Sequence, residues 1–238
     1  MLGGIAVVVP CYRVRNHILD VIGRIGHECS RIYVVDDCCP EGTGEFVLER
    51  CCDPRVTVIT NPTNLGVGGA VMAGYRQAIA DGASVIVKID GDGQMDPALL
   101  PLFVAPILSG QADYTKGNRF YDLSSIARMP KVRIFGNAVL SFMSKLSTGY
   151  WHVFDPTNGY TAIEARVASR LPFDRISSRY FFESDMLFRL NTIRAVILDV
   201  PMDANYGDES SNLQISRIFH EFLLKHCRNF AKRIFYSY

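Results

Sequence analysis

Acidic side chains follow a short apolar strand near the middle of the chain, in the segment DGDGQMDP at residues 90 to 97. Asp90, Asp92 and Gln94 offer oxygen atoms at alternate positions, and the intervening glycines allow a tight turn. Carboxylate and amide oxygens are hard ligands that suit Mg²⁺ or Mn²⁺, with phosphate oxygens in the remaining coordination positions. A solvated, Asp-rich turn is the alternative interpretation, and the rest of the chain must decide between the two.

Apolar strands alternate with helices before this segment. The pattern predicts strands at residues 6 to 12, 31 to 37, 55 to 60 and 85 to 89, with helices at 16 to 28, 44 to 52 and 66 to 80. The first strand is expected to stop at Pro10. Such βαβ units predict a parallel sheet, whose ligands bind at the carboxyl ends of the strands. Six residues fall at that edge: Pro10, Tyr12, Asp36, Asp37, Asp90 and Asp92.

The second half alternates less regularly. It predicts a strand at 112 to 120 that carries Lys116 and Arg119, an amphipathic helix at 131 to 150, a loop entering a strand at 155 to 163, a helix at 179 to 190 and a buried strand at 194 to 202. No internal repeat or low-complexity linker interrupts the chain. We therefore expect one domain over residues 1 to 212.

Residues 213 to 238 form a second segment, a helix with one apolar face and one basic face. A helix of this kind fits a membrane interface, and it equally fits a helix packed on its own domain. No run of 18 or more apolar residues occurs in the chain, so no membrane-spanning segment is expected.

The overall composition excludes some classes of partner. A net charge of +1 argues against nucleic acid, because binding along a phosphate backbone requires a large positive excess. The seven cysteines include no C-x-x-C, and no secretory leader precedes the first strand. A reduced, cytosolic setting is therefore expected.

Taken in order, these motifs resemble a known family. The segments are AVVVPCY, VVDD, NLGVGGAVMAG, DGDGQMDP, KGNRF, DPTNGY, ESDMLFRL and DVPMDANYGDESSN. Over residues 5 to 212 they are similar to GT-A family 2 glycosyltransferases, in particular the dolichol-phosphate and polyprenyl-phosphate sugar synthases. The resemblance implies a Rossmann-like α/β fold with a mostly parallel sheet flanked by helices. It also implies a hexosyltransferase that uses Mg²⁺ or Mn²⁺ and a UDP- or GDP-linked sugar.

The resemblance implies a role for each matching residue. The implied nucleotide-binding residues are Pro10, Tyr12, Asp36, Asp37, Asn64, Gly66, Gly69 and Asp90. The implied metal ligands are Asp90, Asp92 and Gln94, and the residues implied to bind the acceptor phosphate are Arg119 and Arg133. The implied catalytic residues are Asp185, Glu183 and Asp90. The implied acceptor is lipid-linked, most of all a polyprenyl phosphate. The implied location is the cytoplasmic face of a membrane, reached by peripheral binding or by an anchor in a segment outside this chain. Transfer in a single displacement would invert the anomeric configuration.

Two departures from the family pattern keep alternatives open. The acid expected after Tyr12 is absent, since Arg13 and Val14 follow, which leaves the nucleotide undecided. A late arginine is replaced by a stretch with Asp208 and Glu209, which favours transfer onto a sugar hydroxyl of a lipid-linked glycan. That reaction requires a carboxylate base, whereas a phosphate acceptor does not. A dinucleotide-dependent oxidoreductase is the alternative from another class, although Val71 breaks the required G-x-G-x-x-G.

Overall fold

The computed structural model describes residues 3–121, 131–203 and 215–236, with the backbone alone at 131–135, 137, 215–219 and 236. Seven strands lie within these ranges. They are β1 (Ile5–Cys11), β2 (Cys29–Asp36), β3 (Val56–Thr60), β4 (Val85–Lys88), β5 (Tyr114–Asn118), β6 (Thr161–Glu164) and β7 (Ile197–Pro201). They form one sheet in the order β3-β2-β1-β4-β6-β5-β7.

Helices connect the strands and cover both faces of the sheet. They are α1 (Ile18–Arg24), α2 (Thr43–Arg50), α3 (Val67–Ala80), α4 (Leu100–Leu108), α5 (Lys131–Thr148), α6 (Ala165–Ala168), α7 (Phe182–Thr192) and α8 (Ile215–Tyr236). Short 3₁₀ turns occur at Pro97–Leu99 and Phe173–Arg175.

Six of the seven described strands run in parallel, and β6 alone runs the opposite way. It lies between β4 and β5 and is antiparallel to both. The carboxyl ends of β1, β2, β4 and β5 therefore share one edge of the sheet with the amino end of β6. The loop that precedes β6 reaches the same edge as the DGDGQMDP segment for this reason.

The central strands are buried on both faces, as expected for a parallel sheet covered by helices. In β1, Ala6 and Val8 belong to the core on the α3 side, whereas Val7 and Val9 belong to the core on the other side. Alternate side chains of a strand point to opposite faces, so one uninterrupted apolar run serves both cores.

The observed architecture confirms the predicted α/β sheet, and it differs in details. Pro10 lies inside β1, paired with Val35 of β2, and does not end the strand. Its missing N–H is tolerated because the pairing of β1 with β4 ends at Val8. The 3₁₀ turn and α4 at residues 97 to 108 were not predicted, because a proline-containing apolar run lacks a clear helical period.

The C-terminal helix α8 packs against α5 and α7 of the same chain. Phe222 and His226 lie against Phe181, with ring centroids 5.3 and 4.8 Å away. Burial lowers the pKa of His226 to about 4, and its Nδ1 lies 2.7 Å from Ser147 Oγ. This face of α8 is therefore packed on the rest of the chain, as one of the two alternatives predicted.

The segment boundary predicted at residue 212 lies outside the described residues. No helix in the described part of the chain is long and apolar enough to cross a bilayer.

Gly74 lets α3 approach the sheet closely, and a side chain there should destabilise the protein. A Cβ atom at Gly74 would collide with Val8 of β1 and come within 3.1 Å of Val35 of β2. We expect Gly74→Ala to lower the free energy of unfolding by about 1–3 kcal/mol, because a rigid, packed core resists added volume. Urea denaturation measures this change.

Gly23 of α1 provides the matched control, since a Cβ atom there would meet nothing within 4 Å. Gly23→Ala should stabilise the protein by up to about 1 kcal/mol, through helix propensity alone. Equal effects of the two substitutions would contradict the close approach of α3.

Candidate functional site

A cavity of about 470 Å³ opens at the carboxyl ends of β1, β2 and β4. Its lining comes from three parts of the chain: Pro10, Cys11, Tyr12, Val14 and Asp37; Asn64, Gly66, Val67 and Ala70; and Asp90, Gly91, Asp92, Arg179 and Tyr180. The helix α3 begins at this cavity, and the positive end of its dipole favours a negatively charged group. We call it the large cavity.

Asp37 organises the wall of the large cavity. Its Oδ1 accepts hydrogen bonds from Asn61 Nδ2 at 2.8 Å and from the Leu65 N–H at 2.9 Å. Its Oδ2 accepts one from the Gly66 N–H at 2.7 Å. A single buried carboxylate thus joins the end of β2 to the turn that leads into α3.

The opposite wall is a loop before α7 that lies directly on the start of α3. A Cβ atom at Gly66 would come within 2.7 Å of the Ser178 carbonyl oxygen, and one at Gly68 within 2.6 Å of the Ser177 carbonyl oxygen. These glycines permit the contact, which places Arg179 and Tyr180 in the lining of the cavity.

A second cavity, of about 130 Å³, adjoins the large one. Its lining residues are Asp90, Asp92, Gln94, Met95, Arg119, Thr157, Asn158, Gly159, Met202 and Asp203. We call it the small cavity. Asp90 and Asp92 line both cavities, so the acidic segment lies at the boundary between them.

A buried lysine holds Asp90 in place. Lys88 is 1% exposed, and its ammonium lies 2.8 Å from Asp90 Oδ1 and 3.6 Å from Glu183 Oε1. Burial acts to lower the pKa of Lys88, but Asp90 and Glu183 outweigh it and raise that pKa, so the ammonium stays charged. Burial raises the pKa of Glu183, against the effect of Lys88 and Lys116.

A second buried lysine lies nearby, on β5. The Lys116 ammonium donates a hydrogen bond to the Asn158 carbonyl oxygen in the loop before β6. Burial lowers the pKa of Lys116 to about 8, an effect that Glu183 and Asp155 oppose. This hydrogen bond fixes the loop before β6 against β5.

Arg119 contributes to the lining of the small cavity and is matched by a buried acid. Its Nε and Nη2 donate to the two oxygens of Asp155, at 2.7 and 2.9 Å. Asp155 is fully buried, so the pair holds the arginine in a defined orientation. Three further acids, Asp90, Asp92 and Asp203, also line the small cavity.

The small cavity has the donor chemistry of a divalent-cation site. Asp90, Asp92, Asp203 and Gln94 offer hard oxygens from one lining, which suits Mg²⁺ or Mn²⁺. Among the described residues, no three His, Cys, Asp or Glu side chains are already clustered closely enough to hold an ion. In nucleotide-binding enzymes Mg²⁺ is commonly bound by one or two carboxylates together with phosphate oxygens.

Several predicted site residues lie elsewhere. Asp36 is buried, and it accepts from the Cys39 and Gly44 N–H groups at the start of α2. Gly69 lies behind the cavity, where a Cβ atom would collide with Leu65. Neither residue is among those that line the large cavity, and their predicted roles at the nucleotide stay predictions.

The two acids predicted as bases, Glu183 and Asp185, line neither the large nor the small cavity. Glu183 is partly buried and lies on the far side of Lys88 from Asp90. Asp185 lies in a different cavity, where it accepts from the Ser177 N–H and from Asn229 Nδ2. Arg133 belongs to α5, but its side chain lies outside the described residues, and its predicted role stays a prediction.

The lining residues that sequence reasoning missed include Arg179 and Tyr180 in the large cavity, and Asn158 and Asp203 in the small one. Asp203 follows β7 at the shared edge, so its position after a strand was an available signal. For Arg179 and Tyr180 the sequence held no signal, since their placement depends on the contact with Gly66 and Gly68.

Asp37 should matter for stability as well as for the cavity. We expect Asp37→Asn to lower the free energy of unfolding by about 1–3 kcal/mol, because an amide cannot accept on both sides and one buried N–H group loses its partner. Urea denaturation measures the loss. Asp92→Asn is the matched control, since Asp92 is only half-buried and an asparagine Oδ1 can still accept from the Gln94 N–H. Equal stability of the two variants would contradict this reading of Asp37.

Comparison with known proteins identifies relatives of this chain. The chain is 31% identical over 199 residues to an undecaprenyl-phosphate mannosyltransferase of Micrococcus luteus, covering 82% of this chain and 81% of that protein. It is 29% identical over 201 residues to a polyprenol monophosphomannose synthase of Mycolicibacterium smegmatis, covering 82% and 75%. It is 27% identical over 239 residues to a UDP-N-acetylglucosamine–dolichyl-phosphate N-acetylglucosaminyltransferase of Methanococcus voltae, covering 92% and 95%.

The fold also matches a solved structure. Glucosyl-3-phosphoglycerate synthase from Mycobacterium tuberculosis, crystallised with Mn²⁺, UDP and phosphoglyceric acid, superimposes with a TM-score of 0.71 at 19% identity, over 94% of this chain and 78% of that one. A sequence model of glycosyl transferase family 2 matches residues 6–171. The chain therefore belongs to glycosyl transferase family 2, with the mostly parallel GT-A sheet and the acidic strand end that its sequence predicts.

Proposed function

We propose that this glycosyltransferase moves a sugar from a nucleotide-sugar donor to a polyprenyl phosphate, with inversion at the anomeric carbon. The observation that carries the proposal is the pair of adjoining cavities whose shared boundary is Asp90 and Asp92. The large cavity takes the nucleotide and the small one takes the acceptor phosphate. The reacting carbon then lies between the two.

The relatives support this choice of acceptor. Two are named for transferases of undecaprenyl phosphate or dolichyl phosphate and one for the synthesis of polyprenol monophosphomannose, and they are 27% to 31% identical to this chain over the aligned residues. One is named for a UDP-linked donor. Family membership also removes support from the oxidoreductase alternative.

In the large cavity, Tyr12 and Tyr180 offer aromatic surfaces for the nucleotide base, while Arg179 offers a fork for its phosphates. Asp92 and Gln94, with Asp90 and Asp203 beside them, would hold Mg²⁺ or Mn²⁺. When bound, the cation neutralises the charge that develops on the departing diphosphate. The ion pair with Lys88, at 2.8 Å, holds Asp90 in place at this boundary.

The two acids predicted as bases line neither cavity, which supports a phosphate acceptor over a sugar hydroxyl. A hydroxyl acceptor needs a carboxylate base within reach of its proton, whereas a phosphate is already a nucleophile. Glu183 lies under Lys88, and Asp185 lies in another cavity. Arg119, oriented by Asp155, stands in the small cavity, where the acceptor phosphate is proposed to bind.

Asp92→Asn tests the proposal. We expect transfer of labelled sugar from UDP- or GDP-sugars to undecaprenyl phosphate to fall about 100-fold or more, because the cation and the diphosphate lose a charged ligand. The free energy of unfolding should stay close to that of the wild type.

Asp96→Asn is the control, a same-charge change in the same segment that lines neither cavity, where asparagine can still cap the Pro97–Leu99 turn. It should keep near-normal turnover. Near-normal turnover of Asp92→Asn would overturn the cation assignment. If calorimetry detects no binding of any UDP- or GDP-sugar, with or without the metal ion, the result counts against the donor assignment.

We further propose that the protein works at a membrane surface, to which it binds peripherally. Exposed apolar side chains on and near α5 and α8 support this, among them Phe142, Trp151, Phe154, Leu224 and Phe235. Leu224 and Phe235 are 72% and 80% exposed, although the opposite face of α8 is packed. A lipid-linked acceptor also requires access to the bilayer surface.

Liposome flotation tests this surface. We expect the wild type to float with vesicles that contain anionic lipid, and Leu224→Ser with Phe235→Ser to float several-fold less, because burial of apolar side chains stabilises interfacial binding. Leu48→Ser with Leu102→Ser is the control, since these leucines are exposed on α2 and α4. If the control loses as much binding as the α8 variant, or if the wild type stays unbound, α8 is not the membrane-binding surface.

A further inference from the structure

A third cavity, of about 310 Å³, lies between α7, the Phe173–Arg175 turn and α8. It shares no lining residue with the large or the small cavity. Its cationic lining residues are Arg175, Arg189, Lys225, Arg228 and Lys232. We call it the basic cavity.

The acids around the basic cavity are already engaged. Asp185 is 6% exposed and accepts from the Ser177 N–H at 2.8 Å and from Asn229 Nδ2 at 2.9 Å. Asp174 points into solvent and pairs with Arg76 at 2.6 Å. Glu221 compensates Lys225 at 2.6 Å. The other four cations of the lining, Arg175, Arg189, Arg228 and Lys232, have no acidic partner within salt-bridge distance among the described side chains.

A buried donor in the lining also lacks a partner. Arg189 is 7% exposed, and its Nη2 donates to the Arg175 carbonyl oxygen at 3.0 Å. Its Nε is buried without a hydrogen-bond acceptor in the described part of the chain. An unsatisfied guanidinium N–H in a buried position is costly, and an anion in the cavity would satisfy it.

The electrostatics of Lys232 agree with an unfilled anion site. Burial lowers the pKa of Lys232, and the charges of Arg228, Arg189 and Arg175 act in the same direction, whereas Asp185 opposes them. Like charges held together in this way repel one another until an anion lies between them. Arginine forks with neighbouring lysines are a common environment for phosphate.

We propose that the basic cavity binds a phosphate group, at a site separate from the transfer reaction. Two sources share this chemistry: the phosphate of a membrane lipid headgroup and a free phosphate or phosphomonoester. The cavity opens beside the exposed Leu224 and Phe235 of α8, which line up with Arg228 along the helix. The proposal does not depend on the identity of the sugar donor or acceptor.

Binding of inorganic phosphate and of glycerol 3-phosphate, measured by calorimetry at constant ionic strength, tests the site. Arg228→Gln with Lys232→Gln is the test variant, because both residues are at least partly exposed and the fold does not depend on them. We expect affinity to fall about tenfold or more, as charge-assisted hydrogen bonds are lost. Arg50→Gln with Arg170→Gln removes the same charge from exposed positions elsewhere, and should leave affinity unchanged.

Vesicle flotation distinguishes the sources. If a lipid phosphate is the ligand, the test variant loses binding to phosphatidylglycerol vesicles, and glycerol 3-phosphate displaces the wild type from them. If a free phosphate is the ligand, the test variant loses phosphate binding but floats as the wild type does. No phosphate or vesicle binding by the wild type, or equal losses in the test and control variants, overturns the proposal. Neither readout requires turnover, so failure of the transfer reaction is recorded separately.

Discussion

The ammonium of Lys88 is a charge in the middle of the sheet, and it must have carboxylates around it. An isolated buried charge would cost several kcal/mol, so the fold depends on Asp90 and Glu183 lying within reach. Asp90 belongs to the loop after β4, and Glu183 belongs to α7. One electrostatic requirement therefore fixes the acidic loop against a helix from a distant part of the chain, and it does so directly beneath the boundary between the large and small cavities.

The same principle is repeated along the sheet edge. Lys116 holds the loop before β6, Asp155 holds Arg119, and Asp37 holds the turn into α3. Each is a buried polar group that is satisfied by a neighbouring loop, and each loop carries a lining residue of a cavity. Buried hydrogen bonds and ion pairs thus hold the loops that line the cavities. A site built in this way is preorganised, since its charges need little rearrangement when a ligand binds.

Much of this arrangement was predictable from the sequence, because parallel strands bring their carboxyl ends to one edge. That rule is sufficient to place Pro10, Tyr12, Asp37, Asp90 and Asp92 together. It could not show that Asp36 turns into α2, since adjacent residues on a strand point to opposite sides. Residues two apart on a helix also diverge, so Glu183 and Asp185 could not both face the same sugar. The direction of β6 was not predictable, because the sequence of a four-residue strand does not indicate which strands it pairs with.

The antiparallel strand β6 has a consequence for how the protein is made. The central strand β4 pairs with β1 on one side and with β6 on the other, and β6 emerges from the ribosome only after α4, β5 and α5 have been synthesised. During that interval Val85, Ile86 and Val87 form a nascent sheet edge whose backbone groups lack their final neighbour. An unfinished apolar edge of this kind invites pairing with other chains. We therefore expect this topology to require either rapid pairing of β6 with β4 after synthesis or a chaperone that covers the exposed edge.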